Sequence, residues 1–137
     1  MKSTPQIYVN GSLEAVALYQ QAFNLTLNPD MTAFNKDGTY EHVSLMNGEN
    51  EILAVAEDLL GLHSDKVMGD KIPVMAFNIS NLGTREAVDY AYAILSAEAR
   101  INQNPDGPAV PFWDEDEGNE YWFSLVDKFG IYWGVGK

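Results

Sequence analysis

The 137 residues contain no cysteine. Disulfides, thiolate nucleophiles, zinc–cysteine sites and iron–sulfur clusters are therefore excluded. Basic residues are scarce: Lys and Arg number 8 against 20 Asp and Glu, for a formal net charge of −12. Such a chain has no basic patch to offer nucleic-acid phosphates or an anionic membrane surface, so neither is expected as a partner. No apolar run approaches the length of a membrane span. Residues 1–5 carry no apolar signal-peptide core, and a cytoplasmic location is the expectation. Nucleophile motifs and Gly-rich phosphate loops are also missing, since Gly134-Val135-Gly136 follows a strand and opens no helix.

What the chain does have is repetition. Glu14-Ala15-Val16 recurs 72 residues later as Glu86-Ala87-Val88, each preceded by a hydroxyl residue at helix-cap spacing, Ser12 and Thr84. Ser44-Leu45-Met46-Asn47 is answered 80 residues later by Ser124-Leu125-Val126-Asp127, and both runs enter turns, at Gly48 and Gly130. The order in each half is strand, capped helix, then three strands. A duplicated unit of this kind predicts one domain over residues 1–137: repeat one over about 4–57, a connector over about 58–72 and repeat two over about 73–137.

Local patterns fill in the elements. Residues 6–9 read as a strand with Ile7 and Val9 on one face and Gln6 and Tyr8 on the other. A helix over about 13–23, capped by Ser12, would bury Leu13, Val16, Ala17, Gln20 and Phe23, with Tyr19 beside that stripe. A strand over 25–34 should bend at Pro29. Asn35-Lys36-Asp37-Gly38 signals a hairpin. The connector should hold a short helix around 58–62. Residues 73–80 repeat the first strand, with Met75, Phe77 and Ile79 toward the second helix, over about 85–97, which buries Val88, Ala91, Ile94 and Leu95. The segment between Asn102 and Asn119, rich in Pro, Gly and acids, should be a long loop, and long loops inside compact domains are often functional.

Two copies of this unit resemble the vicinal-oxygen-chelate superfamily, which includes glyoxalase I, extradiol dioxygenases and bleomycin-resistance proteins. The local words are similar to its PhnB-like branch. These are the run from Tyr8-Val9-Asn10-Gly11 to Tyr19-Gln20-Gln21-Ala22-Phe23, the strand His42-Val43-Ser44-Leu45, the loop Pro111-Phe112-Trp113, and Asp127-Lys128-Phe129-Gly130-Ile131-Tyr132-Trp133. The resemblance implies an α+β fold in which two βαβββ repeats form a pair of curved mixed-sheet half-barrels with helices outside. It also implies a homodimer.

Metal-dependent members of that superfamily take His, Gln or Glu ligands from the first and last strands of each copy. Here those slots fall at Thr4 (with Gln6 nearby), at Val74, at Leu53 or Ala54, and at Trp133 or Gly134. A catalytic divalent site needs about three protein ligands, so no metal and no cofactor are expected, and no catalytic residue is assigned. The acidic run Asp114-Glu115-Asp116-Glu117-Gly118 fails the EF-hand pattern, with Leu125 where the bidentate carboxylate belongs. Of the two histidines, His63 belongs to the connector and is expected as an exposed loop residue, while His42, on an inward-facing strand, reads either as a hydrogen-bonded barrel-wall residue or as a polar ligand contact or proton-transfer group.

The remaining functional signal is aromatic. Tyr8, Phe112, Trp113, Trp122 and Trp133, with Gln6, His42 and Asn78 as polar handles, are the candidate ligand-binding residues. The expected ligand is a small aromatic or cationic molecule, bound in a cleft between the repeats or at a dimer interface. The alternatives are a metal-dependent lyase, isomerase or dioxygenase, and a dimerising protein whose cleft is filled by its own side chains.

Overall fold

The computed structural model describes residues 1–137, apart from the side chains of residues 65 and 66. The chain divides into two compact units, Met1–Gly69 and Asp70–Lys137. Unit 1 runs β1 (Gln6–Val9), α1 (Ser12–Phe23), β2 (Thr26–Phe34), β3 (Tyr40–Asn47), β4 (Asn50–Glu57) and a single-turn α2 (Asp65–Met68). Unit 2 runs β5 (Phe77–Ile79), α3 (Arg85–Leu95), β6 (Ile101–Asn102), β7 (Trp122–Val126) and β8 (Tyr132–Gly136). Each unit holds one open four-stranded sheet, ordered β1-β4-β3-β2 and β5-β8-β7-β6. β1 lies parallel to β4 and β5 parallel to β8, while the other pairs are antiparallel. This is the α+β arrangement of two βαβββ halves that the repetition predicts.

The strand register carries the repeat down to single residues. Gln6 and Ser44 flank Ala54 in the first sheet as Asn78 and Ser124 flank Gly134 in the second. Alternation then sorts the faces. In unit 1, Ile7, Val9, Val43, Leu45, Leu53 and Val55 are buried on one side with Ala15, Val16, Tyr19 and Ala22 of α1. In unit 2, Phe123, Leu125, Trp133 and Val135 are buried with Val88, Ala91 and Leu95 of α3.

Several local expectations need correction. The buried residues of α1 are Ser12, Ala15, Val16, Tyr19 and Ala22, whereas Leu13 is 50% exposed and Ala17 is exposed. Small Ala15 and Ala22 line the packed face; apolarity alone picked the stripe next to it. Ser12 is not the cap. Gly11 holds that position at φ 100°, a left-handed conformation that suits glycine. The Ser12 hydroxyl instead accepts from Tyr40 N–H (3.0 Å), and the Glu57 carboxylate accepts from Gly11 N–H (2.9 Å) and Ser12 N–H (2.6 Å). An anion from β4 thus serves the helix N-terminus. In α3 the predicted cap holds, with Thr84 Oγ1 accepting from Ala87 N–H at 3.1 Å. The short helix lies at Asp65–Met68 instead of 58–62, where Gly61 N–H closes a turn on Asp58 C=O. β5 is only three residues long, and Met75 lies outside it, 63% exposed. The bend at Pro29 appears as a register shift between Leu27 and Thr32.

Candidate functional site

On the sheet face of unit 1 that faces away from α1, Ala54 and Ala56 of β4 leave room for longer neighbours on β1 and β3. Gln6 and Tyr8 come from β1, and His42 and Ser44 from β3. Glu51 joins them through a bulge. Simple alternation would put it with Leu53 and Val55, but the β3–β4 register slips between Leu45 and Met46, so that Glu51 pairs with Met46. A continuous hydrogen-bond chain results. Gln6 Nε2 contacts Tyr8 Oη at 2.9 Å, Gln6 Oε1 contacts His42 Nδ1 at 2.9 Å, and His42 Nε2 contacts Ser44 Oγ at 3.3 Å. The Ser44 hydroxyl donates to Glu51 Oε1 at 2.6 Å. The other carboxylate oxygen, Oε2, accepts from Thr4 Oγ1 at 3.0 Å and from Lys2 Nζ at 2.6 Å.

The Glu51 side chain is only 9% exposed. The hydrogen bond from Lys2 comes first among the causes, then that from Ser44, and together with Thr4 they outweigh the cost of burial and pull the carboxyl from its ordinary 4.5 down to about 2. Glu51 is therefore an anion at neutral pH and accepts hydrogen bonds only.

Tyr8 ends this chain and also enters a second feature. The residue is 49% exposed, and its ring stacks with His63, with centroids 6.4 Å apart and planes at 19°. Tyr8, Leu59, Leu60, Leu62, His63, Glu57 and Asp58 enclose a cleft of about 340 Å³. His63, expected as an exposed loop residue, is exposed but anchored. Asp58 Oδ2 accepts from its backbone N–H at 2.7 Å and lies 3.4 Å from its ring Nδ1. Burial works against charge on Asp58, but the N–H groups of His63 and Leu62, with the His63 ring, hold its carboxyl below the usual range.

The matching face of unit 2 differs. Trp122, on the repeat position of His42, lies across Gly134 and Gly136. A Cβ on Gly134 would stand 2.5 Å from Asn78 Oδ1 and 2.7 Å from Trp122 Cζ2, and one on Gly136 would overlap Trp122 Cε3. Ser124, the repeat mate of Ser44, donates to Gln103 Oε1, which also accepts from Tyr132 Oη at 3.1 Å. Phe112 and Trp113 open a 3-10 turn in the long loop, 81% and 65% exposed, paired edge to face at 5.3 Å. With residues 114–117 they line a cleft of about 280 Å³.

Of the predicted site residues, Gln6, Tyr8 and His42 come together directly. Asn78 and Trp122 meet over Gly134, and Phe112 and Trp113 form their own pair. Trp133 leaves the set: it is fully buried, its ring 5.4 Å from Phe77, and its Nε1–H donates to Asp127 Oδ2 at 2.8 Å. Its place on β8 alternates toward α3, so it is core. Sequence reasoning missed Glu51, whose arrival depends on the bulge, and Leu59, Leu60, Leu62 and His63, which alternation does not govern. A cluster of leucines in a connector rich in acids is the signal that could have pointed to the cleft.

The donor set does not fit a divalent metal of the kind the resemblance implies. Among the described residues, no three His, Cys, Asp or Glu side chains come together. Both Glu51 oxygens and both His42 nitrogens are engaged with neighbouring side chains.

No family model and no curated protein sequence matches the chain. Solved structures do. A PhnB protein from Bacillus cereus superposes with a TM-score of 0.72 at 17% identity, covering 98% of each chain. A glyoxalase/bleomycin resistance protein/dioxygenase family enzyme from Burkholderia phytofirmans PsJN gives 0.61 at 15% identity, covering 98% of this chain and 95% of that one. The fosfomycin resistance protein FosX from Listeria monocytogenes, solved with Mn(II) and a sulfate ion, gives 0.60 at 10% identity, covering 99% and 90%. At these identities the likeness is one of architecture: the chain has the vicinal-oxygen-chelate fold, shared with PhnB, glyoxalase/bleomycin resistance/dioxygenase and FosX structures.

Proposed function

We propose that this protein binds a small aromatic or cationic molecule without a metal, in the manner of the sequestering members of the glyoxalase/bleomycin-resistance group. The observation that carries this reading is the double role of Tyr8. Its ring forms one wall of the apolar cleft with Leu59, Leu60, Leu62 and His63, and its hydroxyl ends the Gln6–His42–Ser44–Glu51 chain. An aromatic wall with one oriented polar group is the usual composition of a small-molecule site. The net charge of −12 favours cationic ligands over anionic ones by long-range attraction. The homodimer implied by the resemblance is part of the same reading.

The test is native mass spectrometry of the purified protein with elemental analysis of the same sample. A metal-free dimer that carries a small molecule, which is lost on Tyr8→Ala, supports the reading. A stoichiometric divalent metal, lost on His42→Ala or Glu51→Gln, replaces it with a metal-dependent lyase, isomerase or dioxygenase.

A further inference from the structure

The hydrogens of the chain on unit 1 are fixed by counting. Ser44 has one hydroxyl proton, and its 2.6 Å approach to a carboxylate that can only accept commits that proton to Glu51. Toward His42 Nε2, 3.3 Å away, Ser44 Oγ is then an acceptor, which favours a hydrogen on Nε2. His42 Nδ1 is left as the variable atom. When it is protonated it donates to Gln6 Oε1, and the Gln6 amide N–H donates to Tyr8 Oη, the side on which the Gln6 nitrogen lies here. When it is bare it accepts instead, which requires the Gln6 amide to turn over, present its NH₂ to His42, and take the Tyr8 proton on Oε1.

We propose that Tyr8 is a specificity-determining hydroxyl whose polarity is set by the charge on His42 through rotation of the Gln6 amide. With His42 neutral, the Tyr8 proton is spent on Gln6 and its free lone pair accepts from a ligand N–H or O–H. With His42 charged, Gln6 donates to Tyr8 and the phenol proton turns outward, toward a carboxylate, phenolate or carbonyl. The ligand class taken by neutral His42 is thus an aromatic ammonium or alcohol, and an aromatic carboxylate is the class taken by the charged ring. This rests on the small-molecule reading above and deepens it.

The surroundings suit such a switch. From β2, Ala33 is the register partner of His42, and the side chain is neither fully buried nor fully exposed. From β1 come Gln6 and the Tyr8 phenol. From β4 comes Glu51, reached through Ser44 and backed by Lys2 at 2.6 Å. Behind the Tyr8 ring stand His63 and Asp58. The ionised Glu51 keeps the Ser44 proton, which leaves Nδ1 as the ring atom free to change state.

Long-range ¹H–¹⁵N spectra of the histidine rings, followed from pH 5 to 8 with His63→Gln for assignment, test the relay without a ligand. Neutral His42 should be the Nε2–H tautomer, and the Gln6 side-chain NH₂ resonances should move on the His42 titration curve. Ser44→Ala should abolish the tautomer preference. An Nδ1–H tautomer in the wild type, or a Gln6 amide indifferent to His42, overturns the relay. Binding of benzylamine and benzoate, read at the Tyr8 ring protons, tests the selection. Benzylamine should weaken about fivefold as His42 charges and benzoate should strengthen by the same factor, the worth of one ordinary hydrogen bond, with both trends flattened in Gln6→Met. A correct tautomer with neither probe touching Tyr8 would overturn the selection and the small-molecule reading while leaving the relay standing; the two failures are therefore distinguishable.

Discussion

In each unit the sheet face turned away from the helix starts from the same template, and the two end with different chemistry. Gln6–Ala54–Ser44 and Asn78–Gly134–Ser124 are matching rows. Where unit 1 places His42, unit 2 places Trp122, and where unit 1 keeps Ala54 and Ala56, unit 2 has Gly134 and Gly136, onto which the indole lies down. Unit 1 brings in Glu51 through a bulge and gains an ionised end for its hydrogen-bond chain. In unit 2 the polar groups on this face are amides, hydroxyls and a phenol. Duplication fixes the backbone and the register; a few substitutions then decide which half carries an imidazole–carboxylate chain and which half is covered by an aromatic ring.

The largest effect should come from a carboxylate that only one half buries. Asp127 is fully buried and accepts from Phe129 N–H, Ile131 N–H and Trp133 Nε1–H, while its repeat mate Asn47 is exposed. Asp127→Ala leaves those donors without it and should cost about 3–5 kcal/mol in urea unfolding. Asn47→Ala should stay within about 0.5 kcal/mol. Equal costs would mean that the two turns are not differently built.

Next comes the glycine track. Gly136→Ala drives a methyl into Trp122 and should cost about 1–3 kcal/mol. In a Trp122→Ala background the same substitution should cost much less, a coupling that a double-mutant cycle reads directly. Additive costs would show that the indole does not occupy the space above Gly136.

The helix starts differ in kind as well. Glu57→Ala removes the acceptor for the N–H groups of the cap Gly11 and of Ser12, the first residue of α1, and should cost about 1–2 kcal/mol, against about 1 kcal/mol for Thr84→Ala in α3. Because the Glu57 interaction is ionic, salt should reduce its share and leave that of Thr84 unchanged.

The last contrast is pH-dependent. The folded-state pKa of Glu51 lies near 2, below its ordinary 4.5. Its contribution to stability is therefore complete above pH 4.5 and is lost as the pH falls toward 2. In acid titrations of stability, Glu51→Gln should differ from the wild type at pH 6 and converge with it near pH 2. Parallel curves would mean that Glu51 is not held ionised by Lys2, Ser44 and Thr4.

Much of this was readable in the sequence. Spacing alone gave the two halves, the elements of each, the Thr84 cap, the bend at Pro29, the hairpin at residues 35–38 and the faces of Gln6, Tyr8 and His42. What escaped it shares a physical origin. Glu51 reaches Ser44 only because a bulge reverses its side, and a bulge leaves no periodic trace. Ser12 looks like a cap, but its hydroxyl is taken by Tyr40 N–H, 28 residues away, and Glu57 supplies the acceptor instead. Composition marks Trp133 as aromatic without saying which face it takes; alternation from Leu125 and Val135, its buried neighbours on the sheet, assigns it to the core.

The most direct test of the contrast between the faces is a map of aromatic fragment binding by backbone ¹H–¹⁵N NMR on the whole chain. Shifts clustered at Tyr8, His42 and residues 59–63, with Trp122 and its glycines unmoved, are the predicted result. Shifts confined to Trp122, Asn78 or residues 112–117, with Tyr8 silent, would contradict the assignment of the binding face to unit 1.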